Sequence, residues 1–290
     1  MKRLIKRFYL RTRIRLKNAF ESIRNELLKT NLMQAIPFWI GSVFTWLFAV
    51  FYTKLFGWAE DVTTFIFHTN TGLFFLITPV CFIVSWWLVQ RFAPYSKGSG
   101  IPQVVAAIEL SSPRYNDKIK KLLSFRIIVV KIASSLVAAI GGAVIGREGP
   151  TIQIAGSIFR KINEWLPSWW PKVSKKNMIM TGAAAGLAAA FNTPLGGIVF
   201  AIEELTKTHI SYFKTAIFTA VIIAGLTAQG FLGTYLYLGY PQINDLSGWI
   251  FLAVIFVGLI TGLCGSYMSR IILSLQKWKT SFTSKSQHIL

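Results

Sequence analysis

Apolar residues recur along this chain in blocks separated by short polar or basic intervals. Blocks at roughly 34–57, 73–90, 124–145, 177–200, 214–237 and 249–275 approach the length of a transmembrane helix. The intervals sort by charge. Segments 111–126 (Arg114, Lys118, Lys120, Lys121, Arg126), 160–176 (Arg160, Lys161, Lys172, Lys175, Lys176) and 206–214 (Lys207, Lys214) are basic, whereas 58–72 and 238–248 hold no Lys or Arg. The positive-inside bias places the first three in the cytoplasm and the last two outside. Both chain ends then lie inside, the tail carrying Lys277, Lys279 and Lys285. That topology requires 151–160 and 195–205 each to cross as a separate short helix. Ahead of these blocks, Leu4, Phe8, Leu10, Ile14, Leu16, Phe20, Ile23 and Leu27 recur at helical spacing among Lys and Arg. This pattern predicts a basic amphipathic helix over 1–32 on the cytoplasmic face, followed by a transmembrane domain over 33–290. A disordered basic tail is the competing reading. The basic stretch is too long for the charged region of a signal peptide.

Composition agrees: 53% of the 290 residues are hydrophobic and 14% charged, with mean hydropathy +0.51. The net charge of +20 would suggest a nucleic-acid partner in a soluble chain. Here the cations cluster between apolar blocks, and no zinc-finger or RNA-binding signature accompanies them, so no nucleic acid is expected. Cys81 and Cys264 lie within apolar blocks and give no disulfide framework. His68, His209 and His288 are scattered, and neither H-E-x-x-H nor G-x-S-x-G occurs. The chain is therefore read as no enzyme, with no metal or cofactor.

The candidate chemistry centres on Gly146-Arg147-Glu148-Gly149-Pro150 and its continuation Thr151-Ile152-Gln153. An Arg and a Glu sit between apolar pieces. Pro150 suits the first turn of a helix, where its missing N–H costs nothing. A helix start within a membrane presents free N–H groups and partial positive charge, which attract an anion, and a carboxylate there can occupy the anion's place. Of the eleven Asp and Glu, only Glu148 is bracketed by apolar segments on both sides; an intramembrane carboxylate is a functional candidate by default. Lys131, one turn into an apolar block, is the cation best placed to balance such acids, and Arg147 equally suits pairing with backbone carbonyls. Gly98-Ser99-Gly100-Ile101-Pro102 precedes a short apolar helix, so the Ser99 hydroxyl can donate to an anion beside a second helix start; a plain turn is the alternative. Gly182 to Pro194 reads as a small-residue helix followed by a break. Gly182/Gly186 and Gly142/Gly146 both form GxxxG, for which close helix packing is the simpler account. Glu203 and Glu204 end an apolar run and suit either a solvated helix end or a proton site.

Together these stretches resemble the CLC family of chloride channels and chloride/proton exchangers. The three motifs, Gly98–Pro102, Gly146–Gln153 and Ala184–Pro194 through Glu204, occur in the family's order and spacing and extend over nearly all of 33–280. The resemblance implies an all-α polytopic membrane protein of broken and re-entrant helices, the first repeat of an inverted-repeat fold plus the first helix of the second, 249–275. It implies chloride/proton exchange at a bacterial inner or plasma membrane, with a voltage-gated-type channel or a non-transporting subunit as alternatives. By resemblance, Ser99, with Gly100 and Ile101, holds the central anion, and the amides of Arg147, Glu148 and Gly149 hold the outer one. Glu148 is the external gate and proton carrier, Glu204 the internal proton acceptor. Lys131, Pro102 and Pro150 take structural or charge-balancing roles. Chloride is the substrate, and a homodimer or a complementing second-half chain is the implied partner. Two departures from the family pattern stand out: Gln103 replaces the usual Glu, and no second-half Gly-x-Phe-x-Pro motif or anion-site Tyr is present. The 290-residue chain alone is accordingly expected not to transport chloride.

Overall fold

The computed structural model describes residues 25–205, 214–233 and 248–287, with 18, 20 and 21; within these, the side chains of 113, 204, 205, 214 and 279–287 fall outside that description. Most of the amphipathic segment 1–32 and the intervals 206–213 and 234–247 therefore lie outside the described residues. Among the described residues every regular element is helical.

Helix α1 spans Glu26–Thr69 and is N-capped by Asn25, whose side chain accepts from the Leu28 amide. With 44 residues it is about 66 Å long, more than twice the ~30 Å apolar core of a bilayer. This corrects the reading of 58–72 as a loop: the helix continues to Thr69 because its last turns find partners. Ala59 is fully buried, and the Thr63 hydroxyl is shared between the carbonyls of Ala59 and Ala139, each 2.9 Å away. The helix also crosses the 32/33 boundary without a break.

Helix α2 (Phe74–Phe92) runs antiparallel to α5 (Phe125–Ile140). The pairing is marked by Ser85 donating to the Ser134 carbonyl and Thr78 to the Gly141 carbonyl, both at 2.8 Å. Between them lie the short helices α3 (Ile101–Glu109) and α4 (Asn116–Leu122). Carbonyls freed at the end of α5 would cost several kcal/mol each in lipid; hydroxyls from α1 and α2 satisfy them.

After Ile140 the chain leaves helical geometry. Gly142 has φ +79°, and the next helix, α6 (Glu148–Trp165), begins only at Glu148. The Gly142/Gly146 pair is thus part of a helix break, and the helix-packing account of it fails. Gly182/Gly186 fulfils that account on α7 (Lys175–Phe191). A methyl at Gly182 would stand 2.8 Å from the Ala155 carbonyl oxygen, and one at Gly186 would stand 2.7 Å from Ala155 Cβ, so α6 and α7 meet backbone to backbone.

Helix α6 also corrects the loop assigned to 160–176. Its 18 residues carry it to Trp165, with Arg160 only 5% exposed. The guanidinium donates to the Leu123 carbonyl at 2.7 Å and pairs with Glu164. A cation assigned to a basic cytoplasmic interval is therefore a buried tie between α6 and the end of α4.

The apolar block 177–200 is two helices. Asn192 caps α7 in the left-handed region (φ 53°), Thr193 accepts from the Gly196 amide, and Pro194 opens α8 (Pro194–Phe200). A π-turn, Ala201–Leu205, follows and carries Glu203 and Glu204. Helix α9 (Lys214–Leu232) packs on α1 and α7. The core is built around α6 and α7, with Phe38, Tyr52 and Phe159 as its largest closed side chains. Residues 236–290 form a separate unit whose regular element is the 38-residue α10 (Ile250–Gln287).

Candidate functional site

Two helix starts converge on one cleft. Gly100 caps α3 with φ +102°, a conformation that favours glycine, and Pro102 falls in the first turn. Arg147 precedes α6, and Glu148, Gly149 and Pro150 form its first turn. The two starts are in contact: a methyl at Gly149 would lie 2.8 Å from the Ser99 carbonyl oxygen, and one at Gly100 would lie 2.7 Å from Gln153 Cβ. The cleft they border has a volume of ≈ 560 Å³ and is lined by Ser99, Ile101, Lys131, Glu148, Gly149 and Pro150 among others. Glu148 bends back over the turn that precedes it, so that a methyl at Gly146 would overlap its carboxylate. The carboxyl group thus lies over the turn that leads into its own helix, and partial positive charge at a helix start favours a negative group nearby.

The loop presenting Ser99 is held by four consecutive carbonyls. Tyr95 accepts from Gln153 Nε2 at 3.1 Å, Ser96 from Lys131 Nζ at 2.7 Å, Lys97 from Gln103 Nε2 at 2.7 Å, and Gly98 from Lys131 Nζ at 2.6 Å. Lys131 is 3% exposed, and its hydrogen bonds go to carbonyls, which replaces the expectation that it balances an acid. Its charge nevertheless lies in the wall of the cleft, together with Glu148. Gln103, noted as a departure in sequence, donates to Lys97; a glutamate there has no N–H with which to do so.

Several wall residues escaped the sequence reading. Ser134 and Ser135 line the cleft. Ser135 donates to the Ile132 carbonyl at 2.9 Å, so the Tyr52 hydroxyl, 2.8 Å from Ser135 Oγ, is the donor between those two. Hydroxyls scattered in an apolar helix were the available signal, but their facing direction depends on the packing of α1 against α5. The structure thus brings together Ser99, Gly100, Ile101, Lys131, Glu148, Gly149 and Pro150, with Pro102 and Arg147 alongside. Glu204 lies in the π-turn after α8, and its side chain is outside the described residues.

Gly149 tests the contact between the two helix starts. Gly149→Ala is expected to push the Ser99 loop away from α6, because backbone rather than a flexible side chain stands in the way. A thermal midpoint and anion affinity both unchanged from wild type would show the contact to be slack.

The fold and this cleft define a multi-pass membrane protein built from full-length spans and broken helices. Five helices among the described residues are long and apolar enough to cross a bilayer. The family model for voltage gated chloride channels matches residues 80–290, and the chain belongs to this family, the CLC proteins. It is 34% identical over 207 residues to the H(+)/Cl(-) exchange transporter ClcA of Cronobacter sakazakii, covering 70% of this chain and 42% of that protein. It is 30% identical over 250 residues to ClcA of Citrobacter koseri, covering 82% and 50% respectively. The chain thus spans about half the length of the curated relatives it matches. Among solved structures, a slow cyanobacterial Cl-/H+ antiporter aligns with TM-score 0.61 at 24% identity, over 81% of this chain and 54% of that one. A CLC-type fluoride/proton antiporter aligns at 0.58 and 22% identity, over 84% and 57%. At these identities the structural likeness speaks for the fold.

Proposed function

We propose that this chain takes part in the coupled exchange of chloride for protons across a bacterial inner or plasma membrane. The observation that carries the reading is the placement of Glu148 beside Ser99, at two touching helix starts on a shared cleft. Amides at the start of α6 offer a chloride-sized anion the position that the carboxylate can also take. Ser99, whose hydroxyl makes no hydrogen bond to the described residues, supplies a further donor from the α3 side. Protonation of Glu148 removes its charge and frees the position, so anion entry and proton uptake become alternatives at one place. Membership in a family whose matched relatives are named exchange transporters supports the coupled reaction.

On this reading the basic intervals face the cytoplasm, as do both chain ends, and the anion path is completed in an assembly: a homodimer or a complementing second chain. The test is flux stoichiometry in proteoliposomes of the assembled transporter. An imposed chloride gradient is expected to drive protons uphill, and chloride movement without proton movement would overturn the exchanger reading.

Glu204 serves in this proposal as the inner proton acceptor. Neighbouring positions of a helical turn point in different directions, so one of Glu203 and Glu204 is assigned to the path, and the resemblance selects the second. Glu204→Ala is expected to abolish proton coupling while chloride still moves. Loss of coupling in Glu203→Ala instead would assign the role to its neighbour.

A further inference from the structure

A second cleft, of ≈ 880 Å³, opens between α4, the start of α5 and α6, away from the Ser99–Glu148 site. Five cations line it, Lys120, Lys121, Arg126, Arg160 and Lys161, against two carboxylates, Asp117 and Glu164. Part of that charge is already committed. Glu164 pairs with both Arg160 and Lys161, and Arg160 also donates to the Leu123 carbonyl. Among the described residues Lys120, Lys121 and Arg126 have no carboxylate partner. Three exposed, mutually repelling cations around one cleft suit an anionic occupant.

The position of the cleft narrows what that occupant is. It lies where α2, ending at Phe92, gives way to α5, beginning at Phe125. Because α2 and α5 run antiparallel and side by side, both residues stand at the same end of the pair, where a bilayer spanned by these helices would place its headgroups. Both rings form part of the cleft wall, and Phe92 is 44% and Phe125 62% exposed. One turn further along α5, Val129 is also exposed, on the face of Phe125. An apolar surface therefore rises from a basic cleft toward the bilayer interior. A free phosphate would use the cations and leave that surface idle; a lipid uses both.

We propose that this cleft binds the headgroup of an anionic phospholipid, its phosphate held by Lys120, Lys121 and Arg126 and its chains lying along Phe92, Phe125 and Val129. Arg160 shapes the floor: its buried guanidinium, paired with Glu164 on the same helix, joins α6 to the end of α4 through the Leu123 carbonyl. Basic pockets at the membrane surface between transmembrane helices are suited to such lipids.

The experiment is native mass spectrometry of the purified chain in detergent, with phosphatidylglycerol or phosphatidylcholine of matched acyl chains. Phosphatidylglycerol is expected to be retained over phosphatidylcholine, and K120Q/K121Q/R126Q to weaken its retention by roughly fivefold per cation removed. K118Q, on α4 but outside the cleft with its ammonium 5.1 Å from the Tyr115 ring centre, is expected to retain the lipid as wild type does. K120R/K121R keeps the charge and is expected to keep the lipid, which separates charge from packing should the neutralised variant fold poorly. Equal retention of both lipids, or equal losses in K118Q and in the triple variant, would overturn the proposal. Displacement of phosphatidylglycerol by excess inorganic phosphate alone would make the cleft a soluble-anion site and also overturn it.

Discussion

Glu148→Gln in the assembled transporter is expected to abolish proton movement while leaving chloride flux in place. Glutamine keeps the size and hydrogen-bonding reach of the side chain but carries neither a titratable proton nor a negative charge. In the structure the carboxylate lies over Gly146 at the start of its own helix, bordering the cleft shared with Ser99. A neutral amide competes poorly for the partial positive charge of a helix start, so the position is left open to anions at every pH. Proton uptake driven by a chloride gradient is expected to fall to the leak of empty vesicles, and chloride flux to lose its dependence on pH. Intact proton pumping in this variant would remove Glu148 from the proton path and with it the central element of the proposed exchange.

The second large effect is expected at Lys131. Its ammonium is buried and donates to the carbonyls of Ser96 and Gly98. Lys131→Met preserves much of the side-chain volume but leaves both acceptors without their donor. Hydrogen bonds to a charged group contribute about 1.5–3 kcal/mol each, and a buried acceptor left unpaired adds its desolvation cost. A loss of roughly 3–5 kcal/mol in stability is therefore expected, read as a large fall in the thermal midpoint in detergent. Anion affinity is expected to fall as well, because the released segment is the one that presents Ser99. Lys131→Arg keeps the charge but brings a broad planar fork to a pocket built for an ammonium, and it is expected to recover stability only in part. A thermal midpoint unchanged in Lys131→Met would mean that the two carbonyls find other donors, and that Lys131 does not position the loop.

Sequence reading and structure agree where the cause is local. The apolar blocks identify the spans because lipid demands a continuous run of apolar side chains around a fully hydrogen-bonded helix. Asn192, Thr193 and Pro194 announce a helix stop and restart through their own backbone and capping preferences, and the structure places α7 and α8 on either side. Glu148 stands out because an acid between apolar segments is costly unless it has a use. Each of these signals is carried by neighbours in the chain.

What sequence alone left open depends on partners distant in the chain. Helix α1 continues past its apolar block because Thr63 meets the carbonyl of Ala139, a residue 76 positions away. Arg160 is buried because α4 ends beside it and offers the Leu123 carbonyl. Lys131 was paired with an acid by charge alone, but two carbonyls of a loop 35 and 33 residues earlier stand in its reach. Gly142 and Gly146 match a helix-packing motif, yet the chain there has already left the helix. The two segments proposed to attract an anion, 98–102 and 146–150, each read as a helix start from composition. That they touch, with Gly149 against the Ser99 carbonyl, follows only from the packing of α3 and α6, since no preference of either segment specifies the other as its neighbour.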